Sequence, residues 1–349
     1  MLSPVVMAEL VDALVSEASE ETHGSSSLLG HTNFMNNRFE IYPTKKEELD
    51  EAMAIYDHAR LFMRQNGNLE QWINGYPSKE IILEDIALNR SFVIKKDNNI
   101  EAVFTFINGN DETYNYIEGK WLNDEPYGVI HRIASKHQEK GMLKAAVDYG
   151  FRFVRNMRID THKDNIVMQK ALEKEGFIKC GIIYLKDGNP RIAYQKIRKI
   201  DRYSTCCYLK KDEQYLLLYR NKKKDDYNKG KWIGVGGGLE KDETPNQCAI
   251  REIKEETGLN VHSLNCAGEV DFIYDGYFEK MYIYEITNFD GTIVDCNEGE
   301  LRWIPIKDIY NYPMWEGDKA FLPLLINHEP YFKMVLTYSH DKLISVKKL

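Results

Sequence analysis

The stretch from Gly237 to Leu259, GGLEKDETPNQCAIREIKEETGL, constrains this chain more than any other. Its punctuation spells a loop followed by one short helix. Thr244 is suited to cap that helix, Pro245 to its first turn, and Gln247 completes a reciprocal capping box. Gly258 suits the left-handed residue that ends it. Within the helix Glu252, Glu255 and Glu256 fall at i, i+3 and i+4, so three carboxylates share one face while Ile250 and Ile253 lie on another. Like charges so placed repel. Arg251 is placed to pair with Glu255, but one cation leaves the face negative, and a hard divalent ion with oxygen ligands, Mg2+ or Mn2+, would relieve it. Glu243 in the preceding loop is within reach of the same cluster, and Gly236, Gly237 and Gly238 admit a close approach of phosphate to backbone. The expected chemistry is metal-assisted attack of water on a diphosphate, with one glutamate as base. A solvated acidic face is the alternative for any charge run; here glycines, arginine and four glutamates all fall in register.

With its spacing of G, five residues, E, seven residues and REUxEExGU (U aliphatic), the stretch is identified as a Nudix box. The segments KWIGVGGGLE, EGELRW and MWEGDKAFLPLL (Met314 to Leu325) extend the resemblance to MutT-like hydrolases of oxidised purine nucleoside triphosphates such as 8-oxo-dGTP. That resemblance implies an α/β/α sandwich, with Trp315 and Asp318 facing the base and Glu298 joining the metal site. Glu300 replaces Glu298 if the register slips by two. An indole offers a purine a flat apolar face, and a carboxyl group can discriminate base edges; Trp315 as a plain core aromatic is the other reading. Two positions depart from the relatives: Gly317 stands where some carry a second purine-facing acid, and Ile233 where a polar residue precedes the box. Lysines of NKKKDDYNKGKW (Asn221 to Trp232) either attract polyphosphate or are merely solvated.

A length of 349 residues predicts two domains at about 150 each. The net charge of −8 argues against a nucleic-acid polymer as partner. Six cysteines without CxxC or zinc spacing predict reduced thiols and a cytoplasmic protein, and no apolar run is long enough for a membrane span. Residues 1–34 lack apolar surface for docking. Met7 to Thr32 resembles the peptide obtained when a bacterial transfer-RNA gene is translated in frame with the next gene, which would make Met35 the start. A flexible tail is the alternative, and either reading predicts disorder and no function.

Residues 35–197 alternate strand and helix: strands at Phe39 to Tyr42, Ser91 to Lys96, Ile100 to Ile107, Tyr127 to Ala134, Arg158 to Thr161 and, as the last, Ile178 to Leu185. Helices are expected at Lys45 to Gln65, Ser78 to Asn89, Leu143 to Asn156 and Asn165 to Glu175. This order, with HRIAS (His131 to Ser135), QEKGML (Gln138 to Leu143) and NIVMQKALEKEGF (Asn165 to Phe177), resembles the GNAT acetyltransferases. The resemblance implies a mixed sheet flanked by helices, acetyl-CoA as co-substrate and an unidentified amine acceptor. It places Ile133 and Ala134 along the pantetheine arm, Gln138, Lys140, Gly141 and Met142 at the pyrophosphate, and Asn165 as a further contact. Backbone N–H groups at a helix start suit such an anion. Leu143 stands where the family loop ends in Gly or Ala, and Leu172 where a general-acid Tyr often stands; Tyr184 is a substitute. Tyr114, Tyr116, Trp121 and Tyr127 either line an acceptor cleft or form core, and Glu118 is either a base or a surface charge.

A short charged linker at 198–202 and a Nudix domain at 203–349 complete the expected layout. Two alternatives stand beside the fused acetyltransferase and triphosphate hydrolase. The Nudix half would cleave a dinucleoside or CoA-type diphosphate, or the GNAT-like half would be a catalytically silent acyl-CoA sensor.

Overall fold

The computed structural model describes residues 39–349 except 137, 138 and 225. The expectations for residues 1–34 and for Gln138 lie outside the described residues. The rest falls into two compact units that meet between Lys199 and Ile200.

In the first unit the strands are β1 (Glu40–Pro43), β2 (Ser91–Lys96), β3 (Asn99–Asn108), β4 (Glu118–Gly119), β5 (Tyr127–Ser135), β6 (Asn156–Thr161), β7 (Ile178–Tyr184) and β8 (Pro190–Ile197). They form one mixed sheet in the order β1-β2-β3-β5-β6-β8-β7-β4. Helices α1 (Leu49–Gln65) and α2 (Lys79–Ala87) cover one face; α3 (Met142–Gly150) and α4 (Ile166–Lys174) belong to the other. Strand alternation divides the side chains accordingly: Phe92 and Ile94 of β2 pack with Met142, Ala146 and Val147, while Val93 packs with Ile55 and Ile82. The helix expected to run to Asn156 stops at Gly150, because the chain must turn there to enter β6. Strand β8 was not expected: Asp187, Gly188 and Asn189 form a hairpin turn, and RIAYQKI reads as a strand after it.

One irregularity positions the site. Strands β5 and β6 pair in parallel only from Tyr127–Asn156 to Val129–Arg158, and beyond that no ladder joins them. Just past that point the β3–β5 register shifts, and Arg132 adopts φ +49°. A bulky residue held there signals a fixed bulge. Its guanidinium anchors the bulge on buried Asp85 (Nη2–Oδ2 2.6 Å) and on the Tyr76 hydroxyl (3.1 Å).

The second unit contains β9 (Arg202–Lys211), β10 (Gln214–Arg220), β11 (Trp232–Ile233), α5 (Pro245–Thr257), β12 (Asn260–Val261), β13 (Asn265–Tyr274), β14 (Tyr277–Ile286), β15 (Phe289–Asp290), β16 (Gly299–Pro305), α6 (Glu316–Ile326), β17 (Phe332–Ser339) and β18 (Lys342–Lys348). Its main sheet runs β11-β10-β9-β14-β13-β17-β18, with β16 on β10. Helix α6 lies on one face and α5 on the other. Along β9 the burial alternates without any polar gap: Cys206 and Tyr208 pack with Phe321 and Leu322, Cys207 and Leu209 with Ala249 and Ile253. A strand buried on both faces reads as an apolar run, as CCYL does. The closing hairpin β17–β18 was not anticipated, although LTYSHDKLISV alternates around a turn.

The start of α5 is the expected one. Thr244 Oγ1 accepts from Gln247 N (3.3 Å), Gln247 Oε1 accepts from Thr244 N (2.9 Å), and Gly258 closes the helix at φ +77°. Thr244→Ala is expected to cost about 1 kcal/mol, read as a lower urea midpoint for the second unit's unfolding.

Candidate active site

The glycines after β11 run along β9, with Cys207 and Ser204 bridging Val235 and Gly238 and with Thr205 N donating to Gly237 O (2.9 Å). Helix α5 presses its acidic face on that run. Gly236 N donates to Glu256 Oε2 (3.0 Å), and a Cβ on Gly237 would stand 2.4 Å from Glu252 Oε1. A side chain at 237 would push the Glu252 carboxylate out of this position.

Arg251 gathers the carboxylates differently from the i, i+4 expectation. Its fork engages Glu243 in two parallel bonds (Nε–Oε1 and Nη2–Oε2, both 2.9 Å), reaches Glu252 Oε1 at 2.8 Å, and meets Glu255 Oε2 only at 3.3 Å. The planar fork matches a carboxylate edge, so the loop glutamate wins over the helical neighbour. Arg251's hydrogen bonds are the main reason that the Glu243 carboxyl falls to about 2. Glu256 goes the other way. Desolvation, with Glu298 and Glu252 nearby, lifts it to about 8 against the Gly236 N–H and Arg220. Glu298 borders Glu256 and is paired with Arg220 and Lys223, which outweigh its own desolvation and keep its pKa low. Glu300, the alternative to Glu298, is exposed and bonded to Asn221 (3.2 Å).

Among the described residues no three acid, imidazole or thiol groups form a ready-made cation cage. The donor set nevertheless fits Mg2+ or Mn2+: the oxygens are hard, Glu252, Glu255 and Glu256 share a face, and the raised pKa of Glu256 marks negative charge that a divalent cation would offset. Lysines of the preceding loop are partly committed, Lys222 to Asp295 (2.9 Å) and Lys223 to Glu298.

Beyond the glycines lies Trp315, which caps α6. Its indole N–H donates to Asn228 Oδ1 (2.7 Å), its ring packs edge-on against Tyr338 (5.7 Å), and Lys231 Nζ stands 4.4 Å from its centre. The Lys231 ammonium thus covers one face of the indole. Desolvation lifts Asp318 to about 7, against a backbone hydrogen bond at Trp315 and the charge of Lys231. A carboxyl group poised there can donate as well as accept. Gly317 has no room for a side chain: its Cβ would meet Leu336 at 2.6 Å and the Tyr338 hydroxyl at 2.7 Å. The buried Cys206 thiol is pushed up by burial first, with the charges of Asp318 and Glu256 adding to it.

In the first unit a cleft of about 940 Å³ opens where β5 and β6 part; Ile130, His131 and Ile133 line one side, Ile159, Asp160 and Thr161 the other. Ile133 and Asn165 are on its wall. The Asn165 side chain is already used: Oδ1 accepts from Met168 N (3.1 Å) and Nδ2 donates to Gln71 (2.9 Å). Ala134 and Met142 bury their side chains in the core, so only their backbone is available. Gly141 is the N-cap of α3 at φ +96°, next to exposed Lys140.

The place of Tyr184 needs correction, while for Glu118, Tyr114, Trp121 and Tyr127 the surface or core alternative holds. Tyr184 and Glu118 bond to each other (2.8 Å) on the exposed β4–β7 edge and do not line the cleft. Tyr114 is core, and Trp121 and Tyr127 hold the Arg158 guanidinium at 4.0 and 3.7 Å instead of forming a cleft wall. Leu172, at the family's general-acid position, is fully buried. What sequence reasoning missed is His131, whose Nε2 meets Asp111 Oδ2 at 2.8 Å and whose Nδ1 lies 3.8 Å from Asp160 Oδ1. The signal was a histidine inside an apolar strand beside the bulge.

For the second unit, a sheet covered by one helix on each face and a glycine run closed on an arginine-gathered acidic helix define a hydrolase of the Nudix class. The NUDIX domain model matches residues 201–325. An oxidized purine nucleoside triphosphate hydrolase of Danio rerio is 32% identical over 127 residues, 36% of this chain and 81% of that relative. The chain belongs to the Nudix family. A MutT protein from Bacillus halodurans is 23% identical and covers 42% of this chain and 97% of its own, with a TM-score of 0.39. The N-terminal half is similar to a GNAT-family acetyltransferase from Streptococcus agalactiae, 32% identical over 48% of this chain and 99% of that one, with a TM-score of 0.42. All six cysteines are free thiols, and no helix among the described residues is long and apolar enough to cross a membrane.

Proposed function

We propose that the second unit hydrolyses a purine nucleoside triphosphate, with an oxidised purine such as 8-oxo-dGTP as the preferred base, to the monophosphate and diphosphate. The observation that carries this is that one short segment touches both features: Trp232 N donates to Pro313 O (2.7 Å), two residues before Trp315, and Gly236 N donates to Glu256 Oε2 (3.0 Å) on the acidic face of α5. Glu252, Glu255 and Glu256 hold Mg2+ or Mn2+, with Glu243 and Glu298 supporting. The cation, when bound, polarises phosphoryl oxygens and makes water a competent nucleophile at neutral pH. Arg251 fixes Glu243 and Glu252 on the side of the glycine run, the Gly236 N–H orients Glu256, and Gly236, Gly237 and Gly238 let phosphate lie on the backbone. Trp315 receives the base, and Asp318, near neutrality, reads its edge in either protonation state.

The first unit, on this reading, transfers an acetyl group from acetyl-CoA to an amine. The parted strands take the pantetheine arm, and the N-terminus of α3 at Gly141 takes the pyrophosphate.

The test is a purified-protein screen of 8-oxo-dGTP, dGTP, dCTP, a dinucleoside polyphosphate and CoA with Mg2+, identifying the released products. Monophosphate and diphosphate from the oxidised purine are expected; equal use of dCTP, or faster cleavage of CoA, would overturn the purine reading. Trp315→Ala is expected to raise KM about tenfold with little change in kcat, because stacking serves ground and transition state alike.

A further inference from the structure

The cleft of the first unit holds a histidine between two carboxylates, an arrangement that the family resemblance did not supply. Asp111 Oδ1 accepts from Thr113 N (2.9 Å) and Thr113 Oγ1 (2.5 Å), leaving Oδ2 for His131 Nε2. Although burial alone would raise Asp111, the hydrogen bonds from His131 and Thr113 hold it well below the usual carboxylate range. An ionised carboxylate only accepts, so Nε2 carries the hydrogen and Nδ1 is the basic nitrogen of the neutral ring. The nearest carboxylate oxygen to Nδ1 is Asp160 Oδ1, at 3.8 Å. The same oxygen accepts from Tyr114 Oη at 2.6 Å, and Asp160 Oδ2 lies 4.0 Å from Arg191. Asp111, Tyr114 and Asp160 border the ring itself; behind them Arg191 of β8 neighbours Asp160 and the Tyr127 hydroxyl of β5 accepts from Asp111 N, while Arg132, the next residue on β5, turns its guanidinium to Asp85.

The ring sits at the mouth of the gap between β5 and β6, one residue before the bulge, and His131, Asp111 and Asp160 all line the cleft. A proton arriving at Nδ1 makes an imidazolium with Asp111 on one side and Asp160 on the other.

Resting on the acetyl-transfer reading, we propose that His131, oriented by Asp111, is the base that takes the proton from an amine bound in this cleft. The ammonium gives one proton to Nδ1. The neutral nitrogen then attacks the thioester carbonyl carbon, the C–N bond forms, the C–S bond breaks, and the departing thiolate takes up the second proton shed by nitrogen. His131 returns its proton to solvent. Asp111 is a positioning residue, fixing the tautomer and stabilising the imidazolium.

The experiment compares the full chain with H131Q and D111N in three measurements. Calorimetry with acetyl-CoA should give H131Q a Kd within threefold of the unmodified protein; no binding by the unmodified protein sinks the acetyl-CoA reading itself. NMR titration of the His131 ring, assigned by its loss in H131Q, should show a lower midpoint in D111N, and an unchanged midpoint overturns the positioning role. Thiol release from acetyl-CoA with ethanolamine, benzylamine and spermidine should rise with pH through the His131 midpoint. In H131Q kcat should fall about 100-fold, KM should stay within threefold, and that pH dependence should disappear. H131Q within threefold of the unmodified kcat overturns the proposal. Acetyl-CoA binding without transfer to any of these amines also overturns it, in favour of a silent acyl-CoA sensor.

Discussion

Glutamine at position 256 is expected to lower nucleotide hydrolysis by about a hundred- to ten-thousand-fold while leaving the fold intact. Glu256 is 7% exposed, and Gly236 N donates to its Oε2 at 3.0 Å. The amide oxygen of glutamine can accept the same bond, so the change removes charge and ligand strength more than shape. Glu255→Gln should behave alike in turnover, and Glu240→Gln, at an exposed box position, should match the unmodified enzyme. Loss of activity in the Glu240 variant with full activity in the other two would remove the acidic face from the mechanism. Stability without metal carries a second signature. The Glu256 carboxyl goes from 4.5 to about 8 on folding, so the folded state binds more protons over that interval. Its destabilising effect is absent below the lower value, grows as pH rises and is complete above the upper one. Glu256→Gln should therefore be more stable than the unmodified protein in EDTA at pH 9, by on the order of a few kcal/mol, and no different from it at pH 4. The same difference at both pH values would show that burial of charge is not its cause.

Gly141→Pro should abolish acetyl-CoA binding, with a Kd at least 100-fold weaker by calorimetry. Gly141 starts α3 at φ +96°, a conformation closed to proline, whose ring fixes φ near −65°. Space is not the obstacle, since an added Cβ would meet only Phe39, at 3.7 Å. Gly141→Ala isolates the backbone term: an L-residue there costs about 1–2 kcal/mol, or roughly tenfold in Kd. Equal binding by all three proteins would place the pyrophosphate elsewhere.

Local chemistry was the most legible part of this chain. Thr244, Pro245, Gln247 and Gly258 carry their own instructions, and the helix begins and ends where they say. The sandwich around it also follows from short apolar strands and one amphipathic helix. Long-range pairing was not legible: nothing local in KEET reveals that Arg251 prefers Glu243 of the loop to Glu255 one turn on. The β5–β6 gap, which creates the cleft, exists because a ladder stops, and a stopped ladder has no composition. His131 was visible as a residue and invisible as a site, since Asp111 and Asp160 join it from distant parts of the sequence. Tyr184 misled for the same reason, its type being right and its edge strand wrong.

Gly317 bears on the routes by which the base pocket can change. The MutT-like resemblance implies room for an acid at this position, but here the space belongs to Leu336 and the Tyr338 hydroxyl, which also accepts from Gly317 N at 2.6 Å. An aspartate introduced alone would press on both, so room for a second carboxylate depends on residues 336 and 338 giving way, at some cost in core packing. On the reading of Trp315 and Asp318 as the base pocket, this glycine leaves Asp318 as the acid available to the purine edge, and a change to two-acid recognition would draw on the core behind the pocket as well as on the pocket itself.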